Sequence, residues 1–318
     1  ASSVKIISNV AGITTVYGFG VAGCMVAVNG IVALGFNRAT GYAALCRADV
    51  EASTVTVSSI LTGDTTVVST SLVVGGVAVG ATVALAQIAS RNIALVDLTG
   101  STVKAGTLNV NAGTPSAPYN SQALVTVVTG TAGAYSAALN FAIALNASSN
   151  KATVIGTSGS LTGTNVNIYA EGNTRAYAII ANASIGGFSV NISASIALLK
   201  STQEASLSSA AAITLTGALN VTSKQNTTLS TYSNFLLKIT DKLTDVINGK
   251  FSTMAQAYIF SASAGVAVAS ANVAVATADA SGKAIVKASN LTAGGAINIY
   301  SYGSSTANAK VDNITFAV

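Results

Sequence analysis

The stretch GTNVNIYA at residues 163–170 alternates apolar and polar side chains and recurs in closely related form along the chain. The clearest copies are GTLNVNA at 106–112, GALNVTS at 217–223 and GAINIYS at 295–301. Alternation with a period of two is typical of a β-strand. A phrase that returns at intervals of tens of residues indicates a repeat array.

The spacing of this phrase sets the length of the repeat. With weaker copies at 4–6 and 55–57, the second apolar residue falls at positions 6, 57, 110, 168, 221 and 299, in steps of 51, 53, 58, 53 and 78. We therefore expect one continuous array of about 53-residue repeats over residues 1–318. Its repeats run roughly over 1–58, 59–112, 113–170, 171–223 and 224–301, with a partial repeat at 302–318.

Stacking is the way such repeats bury their apolar faces, and it predicts an all-β, elongated parallel β-helix, or β-solenoid. Asparagines between the apolar positions are expected to face outward or to form an amide ladder. The predicted core ladder consists of Leu108, Val110, Val166, Ile168, Leu219, Val221, Ile297 and Ile299. A stacked antiparallel β-sandwich or meander is the alternative, because the Gly-Gly pairs at 75–76 and 186–187 are also hairpin signals. Each repeat holds two or three coils, or one coil with a long arm that turns at the Gly-Gly site.

The runs between the phrases alternate large and small side chains. Over residues 134–145, one face carries Tyr135, Leu139 and Phe141, and the other carries alanine, serine and asparagine. Small side chains allow a second sheet to approach closely, so we expect close packing on the small face.

One amphipathic helical insertion is predicted at 233–252, where the chain exceeds the usual repeat. Apolar residues recur there at helical spacing, with charged residues on the opposite face. The predicted contact face is Phe235, Ile239, Leu243, Val246 and Ile247. Such a helix either covers an exposed sheet edge or apolar strip, or docks a partner or neighbouring subunit.

The composition excludes several kinds of chemistry. The chain contains no histidine and is 50% hydrophobic and only 8% charged. Histidine-based catalysis and imidazole metal ligation are therefore excluded, and we predict no catalytic residue, no cofactor and no metal. The net charge of +5 is scattered singly, so no nucleic acid is expected as a partner.

Two further features concern the cysteines and the membrane. Cys24 and Cys46 form either a disulfide, if the length of one coil is close to their separation in sequence, or two buried free thiols. The longest apolar windows, 21–36 and 72–89, lack basic flanks and aromatic belts, so the chain is not expected to be an integral membrane protein.

The repeated phrases, together with VAGCMVAVN at 21–29, resemble repeat units of large bacterial surface exoproteins. The nearest family is the leukotoxin-family filamentous adhesins, followed by filamentous haemagglutinin-like proteins of two-partner secretion and autotransporter passengers. The resemblance covers nearly the whole chain except the insertion, although only the first copy keeps Val-Ala-Val-Asn intact. It implies a secreted β-solenoid stalk or filament, and it transfers no functional residue.

These observations favour a structural, non-enzymatic segment or subunit of an extracellular bacterial surface filament or adhesin. Its expected partners are further copies of itself, stacked head to tail through open end coils, and a host or neighbouring-cell surface. The alternatives are a carbohydrate-binding or carbohydrate-acting secreted β-helix and a pore-forming β protein.

Overall fold

The computed structural model describes residues 2–226 and 254–317, and all regular secondary structure in them is β-strand. The predicted helical insertion at 233–252, with its contact face, lies outside the described residues. The sixteen strands are β1 Ser3–Gly23, β2 Val26–Asn37, β3 Thr40–Cys46, β4 Val50–Val74, β5 Val77–Ile88, β6 Arg91–Asp97, β7 Thr102–Ala112, β8 Tyr119–Gly156, β9 Ser160–Ser209, β10 Ala212–Leu215, β11 Leu219–Gln225, β12 Ala255–Gly265, β13 Ala267–Ala288, β14 Leu291–Ala293, β15 Ile297–Gly303 and β16 Ala307–Ala317.

Every pairing between described strands is parallel and belongs to one sheet network. Val57 pairs with Ile6 on one side and with Val110 on the other, and the same column continues through Ile168 and Val221. The pairing offsets repeat the steps found in the sequence. The all-β parallel arrangement is consistent with a β-helix-like fold, and the antiparallel alternative is wrong for the described part of the chain.

Each repeat contributes one rung, meaning one level of strands that pairs with the level before and after it. The first rung runs through β1, β2, β3 and the start of β4 before residue 54 pairs with Ser3 and opens the second rung. A whole repeat is therefore one coil, and the alternative of two or three coils in each repeat is wrong for the described residues.

One end of each rung, the head, encloses the larger aliphatic side chains. It is formed by the start of β1, by β3 and by the start of β4, together with their equivalents in later rungs. Val4, Leu45 and Val50 contact one cluster that continues through Val110 and Ile168. The three segments therefore share one apolar interior.

The rest of each rung forms the arm, which consists of two facing layers. The first layer is residues 12–23 and the positions that pair with them, and the second is residues 26–37 with 77–88, 135–146, 188–199 and 267–278. The layers are close: the Ser195 hydroxyl donates to the Ala178 carbonyl across the arm at 2.7 Å, and Asn29 Nδ2 donates to Ser71 Oγ at 2.9 Å. Most side chains between the layers are accordingly small or medium-sized, mainly alanine, serine, threonine, asparagine and valine, and a few larger aliphatics such as Ile88, Ile180 and Leu199 also lie there.

Glycine makes the turn between the two layers. A Cβ placed on Gly75 would overlap the carbonyl oxygen of Cys24 in the rung below, and a Cβ on Gly133 would overlap that of Gly75. Gly186 and Gly265 stand in the same relation to their preceding rungs. Glycine is required here because backbone stacks directly on backbone.

A row of buried amides lies where the head meets the arm. Asn92 Nδ2 donates to Asn150 Oδ1 at 2.8 Å, and Asn150 Nδ2 donates to Gln203 Oε1 at 2.6 Å. Ser59 Oγ donates to Asn92 Oδ1 at 2.6 Å. The adjacent rung thus supplies partners for most of the polar atoms in this row, although Gln203 Nε2 at its end is buried without one.

The rungs are wider than the stack is tall. Six rungs at about 4.8 Å each advance the stack by roughly 29 Å, whereas a 12-residue arm strand alone spans about 40 Å. A single copy of the described rungs is thus a slab, and the expected elongation is absent from it because each repeat adds only one rung.

Candidate interaction surface

The structure brings the predicted ladder residues together in two adjacent columns. Leu108 pairs with Val166, and Leu219 pairs with both Val166 and Ile297. The six members in the inner rungs are almost completely buried, whereas Ile297 and Ile299 in the last rung are about half exposed.

The asparagines between these positions form an amide ladder on the outside of the head. Asn167 donates to Asn109 at 2.9 Å, Asn220 donates to Asn167 at 2.8 Å, and Asn298 donates to Asn220 at 2.8 Å. Asn167 and Asn220 each donate to the rung below and accept from the rung above, which ties the rungs in register.

Cys24 and Cys46 are both exposed free thiols, so the structure contains neither the disulfide nor the buried pair. The prediction of a disulfide assumed a coil no longer than the stretch of chain between the two cysteines. Because one coil takes a whole repeat, the two cysteines lie in the same rung, at the arm turn and at the end of β3 respectively.

The acidic residues near the start of β4 have local partners. Asp49 accepts the Thr102 amide at 2.7 Å, and Glu51 forms an exposed ion pair with Lys104 at 3.5 Å. Both line shallow, open depressions on the head. Across residues 2–226 and 254–317, no three metal-ligating side chains cluster together.

The most extensive feature of the surface is the outer side of the second arm layer, which we call the arm face. It consists of five paired strand segments, one per rung, with six outward positions each. The outward residues are Val26, Val28, Gly30, Val32, Leu34, Phe36, Val77, Val79, Ala81, Val83, Leu85, Gln87, Tyr135, Ala137, Leu139, Phe141, Ile143, Leu145, Phe188, Val190, Ile192, Ala194, Ile196, Leu198, Ala267, Ala269, Ala271, Val273, Val275 and Thr277.

The arm face reverses the usual distribution of side chains in a sheet. Phe141 is 40% exposed and Phe188 is 52% exposed, while the alternating Ala142 and Asn140 are fully buried between the layers. The reason is steric, because small or medium-sized side chains fill nearly all the inward positions of this narrow interior, and the large residues of the alternating run then point outward. Tyr135 stacks on Phe188 with ring centroids 5.2 Å apart and nearly parallel planes, which makes part of the face an aromatic platform.

Charge is confined to the border of the arm face. None of its outward positions is charged, and the first outward position beyond it carries Arg38 in rung 1, Lys200 in rung 4 and Asp279 in rung 5. All three are exposed, and none takes part in an ion pair between described residues.

The outer side of the first layer has a different character near the head. Asp64 and Arg175 line a polar depression there with Gln122 and Asn173. Burial raises the pKa of Asp64, and the Arg175 charge and a hydrogen bond from the Gln122 backbone partly offset this rise. Burial also raises the pKa of Tyr177 to about 12. Beyond this depression, the outer side of the first layer also carries apolar side chains, some of them exposed, such as Phe19 and Ile185, and some buried in a cluster with Tyr177.

Residues of the arm face were not singled out as functional by the sequence. The signal was present in the alternation at 134–145, where one face is uniformly large and apolar. Its meaning depends on the width of the interior, which alternation alone does not give.

The chain matches no protein-family model, no curated protein and no solved structure. Within the described ranges, the structure has no helix with the length and hydropathy needed to cross a membrane. Function is therefore argued from the chain's own residues.

Proposed function

We propose that this chain is a structural, non-enzymatic β-solenoid segment of an extracellular bacterial surface filament or adhesin. The observation that supports this proposal best is the unbroken parallel pairing of equivalent residues from rung to rung. Core aliphatics, turn glycines and amides each form their own column, so the sequence specifies one repeated geometry rather than one local site. The resemblance of the repeated phrases to filamentous adhesins points the same way.

In this proposal, length comes from stacking. The described rungs supply only about 24–29 Å of axis at five to six rungs, so a filament needs further rungs, which head-to-tail stacking of copies would provide. The first rung offers an open edge for this. The backbone N–H and C=O groups of even-numbered residues along β1 and at its two ends face the second rung. The Thr54 amide donates to the Ser2 carbonyl, and the Cys24 amide donates to the Val74 carbonyl. Odd-numbered groups, including the amide of Thr15, face away from it because parallel strands alternate the direction of their backbone groups.

Electron microscopy of the purified chain at high concentration tests head-to-tail assembly. We expect filaments with a spacing of about 4.8 Å along the axis and an axial rise of roughly 24–29 Å per copy. Thr15→Pro removes an edge donor without touching the internal pairing and should abolish the filaments. Thr15→Ala, which keeps the amide, is the matched control. Discrete particles from the unaltered chain at all concentrations would contradict assembly by stacking.

A second candidate is carbohydrate binding, favoured by an exposed polar and aromatic strip on the head. Tyr300 and Tyr302 stack with centroids 6.0 Å apart, are each about half exposed, and adjoin the amide of Asn298. Aromatic faces beside amides suit sugar rings. Affinity electrophoresis through gels containing polysaccharides checks this, with Tyr300→Ala expected to lose retardation and Tyr42→Ala, an exposed tyrosine on β3, expected to keep it.

A further inference from the structure

We propose that the arm face is a lateral docking surface for the arm face of a second copy of this chain. This contact uses a surface separate from the open end rungs, and it does not depend on head-to-tail stacking. Its occupant is inferred from the area of the face, the absence of charge on it and the charges at its border.

The area of the arm face matches what a stable dimer needs. Twelve-residue strands span about 40 Å, and five rungs cover about 24 Å, so the face measures roughly 900 Å². An apolar patch of this size is larger than monomeric proteins normally expose. Standard protein interfaces bury about 800 Å² on each partner. Face-to-face packing of two such sheets, about 10 Å apart, is the ordinary arrangement of a β-sandwich.

The chemistry of the face favours another copy of itself as the partner. An uncharged apolar sheet is complementary to an identical sheet, which is the requirement for a two-fold contact. Membrane-docking surfaces instead carry cations around their apolar area. Here the border carries Arg38 and Lys200 but also Asp279, which an anionic lipid surface would repel.

The border charges also select an orientation. A two-fold axis that lies between the two faces and runs along the strands keeps the strands aligned and reverses the order of the rungs. Rung 1 of one copy then lies over rung 5 of the other, which places Arg38 opposite Asp279 twice per dimer. A two-fold axis along the stack would instead place each rung over the same rung of the other copy. Arg38 would then have no acidic residue of that rung's border opposite it.

Sedimentation velocity of the full 318-residue chain over a range of about 1–100 µM tests the proposal. The unaltered chain should show a concentration-dependent dimer. The double variant Phe141→Asp/Ile192→Asp, at two exposed positions in the middle of the face, should weaken dimerisation at least 100-fold, roughly the loss expected when charge enters an interface centre. Phe19→Asp, at an exposed position on the opposite layer, is the matched control and should leave the dimer intact. Far-ultraviolet circular dichroism checks that each variant keeps its strands.

Charge reversal tests the orientation. Arg38→Asp should weaken the dimer roughly 3- to 10-fold, as expected for a charge pair at an interface border, and Arg38→Asp/Asp279→Arg should restore it. Two outcomes would overturn the proposal: a monomer at all concentrations, or a dimer that persists in the Phe141/Ile192 double variant. A third outcome would overturn it in favour of a lipid surface: the chain stays monomeric and co-sediments with phosphatidylcholine vesicles, and the same double variant no longer co-sediments. Thr15→Pro should retain the lateral dimer even if it abolishes filaments, so failure of either proposal is visible separately.

Discussion

Because the interior of the arm is narrow, we predict different effects for the same substitution, alanine to leucine, at an inward and at an outward position. Ala142 points between the layers and belongs to the same buried cluster as Val125 and Val127 of the facing layer. Its column along the stack contains only small side chains, with alanine or serine in every rung. Ala194 lies in the neighbouring outward column, which otherwise holds valine and phenylalanine. Ala142→Leu and Ala194→Leu therefore add the same atoms to opposite sides of one layer.

We expect Ala142→Leu to destabilise the fold by about 2–3 kcal/mol, because added methylenes in a packed interior force backbone shifts. For a chain of this size, that lowers the thermal midpoint by roughly 4–6 °C. Ala194→Leu should change stability by less than about 0.5 kcal/mol, since it enlarges a half-buried side chain that points away from the interior and lies beside large neighbours. Thermal and urea denaturation followed by circular dichroism measure both. Equal losses at the two positions, or a larger loss for Ala194→Leu, would refute the assignment of inner and outer faces.

The remaining predictions concern the turn, a buried carboxyl and the thiols. Gly133→Ala should cost about 1–3 kcal/mol in denaturation experiments because its Cβ overlaps the Gly75 carbonyl, whereas Gly30→Ala, which meets nothing within 4 Å, should cost nothing. Burial raises the pKa of Asp64 in the folded state above its unfolded value of about 3.9, so the folded state binds more protons and stability falls as pH rises through this window. Asp64→Asn should remove that part of the pH dependence. If the variant and the parent chain have the same unfolding free energies at pH 4 and at pH 7, this contribution from Asp64 is absent. Titration of the native chain with a thiol reagent under non-reducing conditions should find both cysteines reactive, and protection of either one would be inconsistent with its exposure.

Much of the strand pairing could be predicted from the repeated phrase. Val110 and Ile168 occupy equivalent places in successive copies, and a one-residue slip would turn the aliphatic column outward, so the pattern permits one register. The all-β, parallel character of the fold is confirmed for the described residues, and Val110 does pair with Ile168.

The sequence did not predict the shape of the rung. Alternation at Phe141 and Ala142 specifies that the two side chains point in opposite directions, and the close packing expected on the small face correctly places Ala142 against a second layer, but it does not say that Phe141 stays exposed. General experience assigns the large apolar residue to the interior. The layer separation decides otherwise, and that separation follows from contacts between residues on opposite sides of a turn, such as Asn140 with Thr129 at 2.6 Å. The same lack of information about coil length left a disulfide between Cys24 and Cys46 open as one of two alternatives, neither of which the structure contains.

The rung-to-rung pairing also has a consequence for how the chain acquires its structure. Among the described strands, every ladder joins residues a whole repeat or more apart, from Ser3 with residue 54 to Ala267 with Phe188, and none pairs near neighbours in sequence. Folding dominated by such distant contacts is slow until a first template exists. Once two rungs have paired, each further rung can pair with a strand edge that is already formed. Folding should therefore spread rung by rung from the first pair that forms, and whole repeats should be removable or insertable without disturbing the pairing of the others.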